Sequence, residues 1–149
     1  MEQAAELEPV RHGVRVRRNI DDAFRLFTED MTKWWPTETH SIGEAQVQEV
    51  VLEGRVGGRI YERWGDGSQY DWGEITIWEP PNRVVFTWKP NLEDRERTEI
   101  EVRFAPEGDG TRVHLEHRGW ERIGEIGSDA RRDYEFGWPI VLAKFENAD

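Results

Sequence analysis

Cysteine is missing from all 149 residues. Its absence excludes disulfides, thiolate nucleophiles and Cys-ligated zinc or iron–sulfur centres, and it suits a reducing cytoplasm, the location expected here. Positive charge is scarce as well: 20 Lys and Arg face 31 Asp and Glu, a formal net charge of −11. Such a surface should repel a phosphate backbone and an anionic membrane alike, so no nucleic-acid partner is expected. Arg11, Arg15, Arg17 and Arg18 form the one basic cluster, and their alternation with Val14 and Val16 reads as the solvated face of a strand. Long apolar runs are lacking too, which argues against membrane insertion. Met1 to Pro9 is acidic and polar where a signal peptide needs a basic start and an apolar centre. The length suits one domain with a real core, placed over 10–149 after a flexible N-terminus over 1–9.

What the chain has in excess is tryptophan, eight in all. Large amphipathic rings supply either a core or the wall of a pocket. Tyr134, Trp138, Val141, Leu142 and Phe145 recur at helical spacing, which predicts an amphipathic helix over Ser128 to Asn147, capped by Ser128 with Asp129. Pro139 lacks an N–H for the carbonyl of Glu135, so a kink or a second helix start is expected there. Near the other end, a first strand over Arg11 to Arg17 leads to Asn19, an N-cap. Ile20, Phe24, Phe27 and Met31 follow at helical spacing, and this helix ends by Trp34-Trp35-Pro36.

Between these helices the texture is that of strands: Gln46 to Glu53, Arg59 to Trp64, Gln69 to Trp78, Arg83 to Trp88, Thr98 to Phe104 and Thr111 to Arg118. Gly54 with Gly57-Gly58, Gly65-Asp66-Gly67, Pro80-Pro81-Asn82, a charged loop from Pro90 to Arg97, and Pro106 to Gly110 mark the turns. Short connections make this an antiparallel meander. Val84, Phe86, Trp88, Ile100, Val102, Phe104, Val113, Leu115 and His117 share the covered face. Glu99, Glu101, Arg103, Arg112, His114 and Glu116 should face water.

Few residues carry chemistry. His114 and His117 are three apart on a strand and point to opposite faces, so no metal site is expected. His117 alone places an ionisable ring on the covered face, as a hydrogen-bonded structural residue or a pocket lining. Glu62 shares its face with Ile60 and Trp64. If buried it needs a partner, for which Arg55, Arg59 or His117 are the candidates, or it serves as a ligand anchor or an acid–base group. The glycines from Gly54 to Gly58 lack the Gly-Lys-Ser/Thr and the following helix of a phosphate loop, and the serines lie in no nucleophile elbow. No cofactor is called for.

The ordered succession of Phe24 to Thr28, Trp34-Trp35-Pro36, Val56-Gly57-Gly58-Arg59, Trp72-Gly73, Pro80 to Trp88, Gly110-Thr111, Leu115 to Trp120 and Gly137-Trp138 resembles bacterial proteins similar to the activator of heat-shock-protein-90 ATPase. These belong to the SRPBCC, START-like or helix-grip superfamily. The resemblance implies an α+β fold in which a curved antiparallel sheet of six to seven strands wraps a long C-terminal helix, with two short helices after the first strand. It also implies a cavity between sheet and helix for apolar or amphipathic small molecules. By position, Trp34, Trp35, Glu62, Trp72, Trp88, His117, Trp120 and Trp138 would surround it, with Phe86, Phe104 and Tyr134 as apolar wall.

Three functions follow as expectations. The first is a non-enzymatic or weakly catalytic module that binds a small hydrophobic ligand. The second is a cyclase, dehydratase or isomerase in which Glu62 or His117 moves a proton. The third is a protein-interaction module of the chaperone-activator kind, though the chain leaves no room for the separate chaperone-binding domain that the eukaryotic activator carries. Sheet edges also invite pairing, so a homodimer is an open expectation.

Overall fold

The computed structural model describes residues 7–89 and 97–148. Strand β1 (Val10–Val16) is followed by helices α1 (Ile20–Glu29) and α2 (Met31–Trp34). The Asn19 side chain accepts from the Asp22 N–H at 2.9 Å, the N-cap that the sequence announces. Asp30, at φ −118°, interrupts what the spacing reads as one helix. Trp35 then turns extended, as the residue before Pro36 must.

Strands β2 (Val47–Leu52), β3 (Arg59–Trp64), β4 (Gln69–Glu79), β5 (Arg83–Trp88), β6 (Thr98–Glu107) and β7 (Gly110–Arg118) form the meander. With β1 added beside β7, the seven strands run in the order β1-β7-β6-β5-β4-β3-β2, every pair antiparallel. Register shifts in the β2–β3, β3–β4 and β4–β5 ladders curl this half of the sheet. The charged loop before β6 lies, up to residue 96, outside the described residues.

Helix α3 (Gly127–Glu146) lies in the curl, burying Trp138, Val141, Leu142 and Phe145. It departs from expectation at its start. The stretch Trp120–Ile126, two helical turns broken at Gly124 (φ 69°, ψ −139°), leads into it and Ile126 is already helical, so Ser128 falls in the first turn and no side chain caps the start. The helix also continues through Pro139. Glu135 and Pro139 both lie on its exposed side, so the carbonyl that loses its donor is on the solvent face of the helix. Residues 7–9 lie against this helix, with Arg131 donating to the carbonyl oxygens of Glu8 and Pro9. No helix among the described residues is long and apolar enough to cross a membrane.

The alternation places side chains as strand geometry requires: Val84, Phe86, Ile100, Val102, Phe104, Val113 and Leu115 are buried under the helices. Glu101 is the exception on the outer face. Expected in water, it is only 4% exposed. Arg83 and Arg103 reach one of its oxygens at 2.6 and 2.8 Å, and Arg118 reaches the other at 2.7 Å. Long arginine stems roof the carboxylate while their heads stay wet. Burial opposes its ionisation, but the bonds from Arg103, Arg118 and Arg83 overcome this and bring its pKa down to about 2.

Candidate functional site

The space between sheet and α3 divides into a filled end and an open one. At the filled end Phe27 packs on Trp34, Phe104 and Phe145 with ring centroids 5.1, 5.9 and 5.4 Å away, and Phe24 lies 5.1 Å from Phe104. Trp34, Phe86 and Phe104 belong to the buried core and do not line the pocket at the open end. The chain leaves α2 between Trp34 and Trp35, whose indoles touch at 5.6 Å between centroids, so Trp35 joins the filled end to the open one.

At the open end a pocket of about 450 Å³ lies between the indoles of Trp35, Trp72, Trp88 and Trp138, with Tyr134 and Val141 beside them. Thr39, His40, Ser41 and Ile42 from the connector after α2, and Asp133 and Gly137 from α3, complete its lining. The wall rings brace one another: Trp35 lies 5.0 Å from Trp72 and 5.9 Å from Trp138, and Trp72 lies 5.5 Å from Trp88. Each indole N–H is used. Trp35 donates to the His40 carbonyl, Trp72 to Glu62, Trp88 to the Tyr134 hydroxyl and Trp138 to His117. What these closely packed rings leave to the pocket is apolar carbon.

Trp72 reaches the interior through a bulge. Ile60 pairs with Gly73 while Tyr61 pairs with Asp71, which leaves Trp72 as the extra residue of β4.

Glu62 lies behind this wall and does not line the pocket. It is fully buried, and neither Arg55, Arg59 nor His117 pairs with it. The two arginines stay outside, with Glu53 and Asp71. Four N–H groups take their place. One carboxylate oxygen accepts from the Ile42 amide at 2.8 Å and the Trp72 indole at 2.7 Å. The other accepts from the Gly43 amide at 2.7 Å and the Trp64 indole at 2.8 Å. Every donor points inward, the pattern a carboxylate satisfies, and the side chain becomes a peg joining the rim connector to the wall. Gly43 is part of the fit, since a Cβ there would stand 2.3 Å from the Trp64 indole nitrogen.

His117 is likewise fully buried beneath the pocket floor, stacked against Trp120 at 4.1 Å. The Trp138 indole donates to Nδ1 at 3.0 Å. An indole only donates, so Nδ1 carries the lone pair and Nε2 the proton. That proton goes to Thr98 Oγ1 at 2.7 Å, and Thr98 donates onward to the Trp88 carbonyl. Trp120 caps the arrangement by donating to the His117 carbonyl. With both ring nitrogens taken, His117 has nothing to offer a ligand. Of the residues expected around a cavity, Trp35, Trp72, Trp88, Tyr134 and Trp138 meet at the pocket. Trp34, Glu62, Phe86, Phe104, His117 and Trp120 do not line it. The rim residues Thr39, His40, Ser41 and Asp133 carry no periodic signal that would have found them.

Burial holds the pKa of His117 well below its ordinary 6.5. Below that pH the unfolded chain takes up a proton that the folded ring refuses. Stability should therefore be full above pH 6.5 and fall by about 1.4 kcal/mol per pH unit beneath it. The Glu101 contribution is also present at neutral pH, and is lost as pH falls from the ordinary carboxylate value toward about 2. Urea melts at a series of pH values should show the first loss in the window above the carboxylates, and His117→Phe should flatten it.

The family model described as Activator of Hsp90 ATPase homolog 1-like protein matches residues 17–148. Among solved structures, the anthrahydroquino-γ-pyrone synthase Txn09, complexed with SUM, is 34% identical, with 95% of this chain and 97% of that chain covered and a TM-score of 0.66. Protein MLL2253 from Mesorhizobium loti is 19% identical over 93% of each chain, TM-score 0.68. The Aha1 dimer from Colwellia psychrerythraea is 18% identical over 95% of each, TM-score 0.66. No curated protein matches. By the extent of the family match, and with a helix-grip sheet and helix, the chain belongs to the Activator of Hsp90 ATPase homolog 1-like family.

Proposed function

We propose that the protein binds a flat, polycyclic aromatic small molecule in the pocket between Trp35, Trp72, Trp88 and Trp138. The observation that carries this reading is the pocket itself. Its volume of about 450 Å³ lies within the range of small-molecule sites, about 300–1,000 Å³. Its walls are indole faces whose polar edges are already satisfied, which favours stacking over hydrogen bonding. Polar groups gather on the rim alone, where they would orient a ligand that enters edge first.

Gly137 provides the test. A Cβ on it would meet nothing closer than His40 at 3.9 Å, so a larger side chain fits and grows into the pocket mouth. Gly137→Leu should abolish quenching of tryptophan fluorescence by hydroxyanthraquinones. It should leave the fold as stable as wild type or more so, by up to about 1 kcal/mol, because glycine is a poor helix residue. Wild-type protein whose fluorescence no such compound changes would refute the reading.

A second reading, a ring-closing enzyme of the cyclase type, is favoured by the 34% identity to an anthrahydroquino-γ-pyrone synthase. Glu62 and His117 are not its acid and base, because their acceptor and donor positions are occupied. Turnover of an aromatic precursor with an unclosed oxygen-bearing side chain, lost in Gly137→Leu, would be its signature.

A further inference from the structure

We propose that His40, held in one tautomer by Thr39, accepts the proton of a phenolic or enolic hydroxyl on the bound ligand. The inference rests on the pocket being a site for flat aromatics, and it adds which oxygen chemistry those aromatics carry. Nδ1 of His40 lies 2.7 Å from Thr39 Oγ1. The single hydroxyl proton of Thr39 has two acceptors in reach, Nδ1 itself and the Pro36 carbonyl at 3.4 Å; the proposed role places it on the carbonyl, so that the oxygen meets the ring with a lone pair. In that arrangement Nδ1 carries the imidazole proton and Nε2 is left as the acceptor. Nε2 has no protein partner among the described residues. It is also the ring atom nearest Gly137, 3.9 Å from where a Cβ on that residue would stand, and both residues line the pocket.

The placement is fixed from several sides. The His40 N–H donates to the Pro36 carbonyl at 2.9 Å, its own carbonyl accepts from the Trp35 indole at 2.8 Å, and Glu62 holds the two residues that end the connector. The other titratable groups on the lining are Asp133 and Tyr134, both from α3. Tyr134 is engaged by the Trp88 indole, and Asp133 stands exposed at the rim. His117, by contrast, has the opposite tautomer and both nitrogens occupied. His40 is thus the ring in the site with a lone pair to use.

The step is a simple transfer. The ligand O–H bond breaks with its electron pair left on oxygen, an N–H bond forms at Nε2, and the imidazolium keeps its Nδ1–H bond to Thr39. Thr39 acts as a positioning residue. A deprotonated oxygen is also the nucleophile that closure of an oxygen heterocycle needs.

Alizarin, a dihydroxyanthraquinone whose visible band moves to longer wavelength when a phenolic proton leaves, reads this directly. Titrated into the full-length protein at one neutral pH, bound dye should show a long-wavelength fraction at least threefold higher in wild type than in His40→Phe at equal occupancy. Affinity should fall by no more than about tenfold, the worth of one hydrogen bond. Thr39→Val should lower the same fraction and Thr39→Ser restore it. Dye that binds with an unchanged band in His40→Phe, or a band that follows Asp133→Asn instead, overturns the role of His40 and leaves the pocket reading standing. Alizarin that does not bind wild-type protein overturns both.

Discussion

Replacing Glu62 by alanine is expected to lower the free energy of unfolding by about 3–5 kcal/mol, the usual cost of removing one side of a buried charged hydrogen-bond group. The magnitude follows from what is left behind. Two backbone amides and two indole N–H groups lose their acceptor at once, around a side chain that is itself fully buried. Glutamine is the informative control. It fills the same volume, but its amide nitrogen would face one backbone N–H and one indole N–H, donor against donor. A packing role predicts that Glu62→Gln stays within about 0.5 kcal/mol of wild type; a peg predicts a loss approaching that of alanine. Urea unfolding of both variants separates the two. The functional consequence concerns the rim. With Ile42 and Gly43 released, His40 loses its fixed place and Trp72 loses the bond that sets its ring, so binding should weaken in whatever fraction still folds.

The fold was readable because its signals are periodic. Alternation along β5, β6 and β7 places Val84, Phe86 and Trp88 with Ile100, Val102 and Phe104, and with Val113, Leu115 and His117, since a strand repeats every two residues. The stripe from Trp138 to Phe145 does the same for α3. The site was readable in half. Trp35, Trp72, Trp88, Tyr134 and Trp138 could be named because aromatic rings announce themselves by type. Thr39, His40, Ser41 and Ile42 could not, because a polar connector has no period and its place depends on what pins it.

The peg was hidden for a related reason. A search for partners of Glu62 looks to cations, whereas backbone N–H groups belong to every residue and leave no mark in a sequence. Glu101 shows the reverse failure. Alternation puts it correctly on the outer face, but three arginines on neighbouring strand positions close over it, which period alone does not foresee. Tautomer is a further level down. His117 is held in one tautomer because the Trp138 indole can only donate to its ring, and only the assembled contacts decide this.

Gly73→Ala should cost about 3 kcal/mol or more, at the upper end for an overpacked interior, although the change adds a single methyl group. A Cβ at this position would stand 1.8 Å from the Thr87 carbonyl oxygen and 2.8 Å from its carbon. Both belong to β5, whose backbone is tied to β6 along its length and has little freedom to withdraw. The strain must therefore fall on β4, at the point where the ladder to β3 already carries its extra residue, Trp72. Trp72 is bound on two sides, its indole to Glu62 and its carbonyl to the Lys89 N–H at 2.7 Å. A shift of the strand cannot keep both. The variant should consequently lose pocket affinity along with stability, measured by urea unfolding and by hydroxyanthraquinone titration at a temperature where it remains folded. Gly137→Ala is the matched comparison, since the same methyl group there meets only open contact and improves a helix. The two substitutions should move stability in opposite directions, and equal effects would mean that the close approach of β4 to β5 does not govern where Trp72 stands.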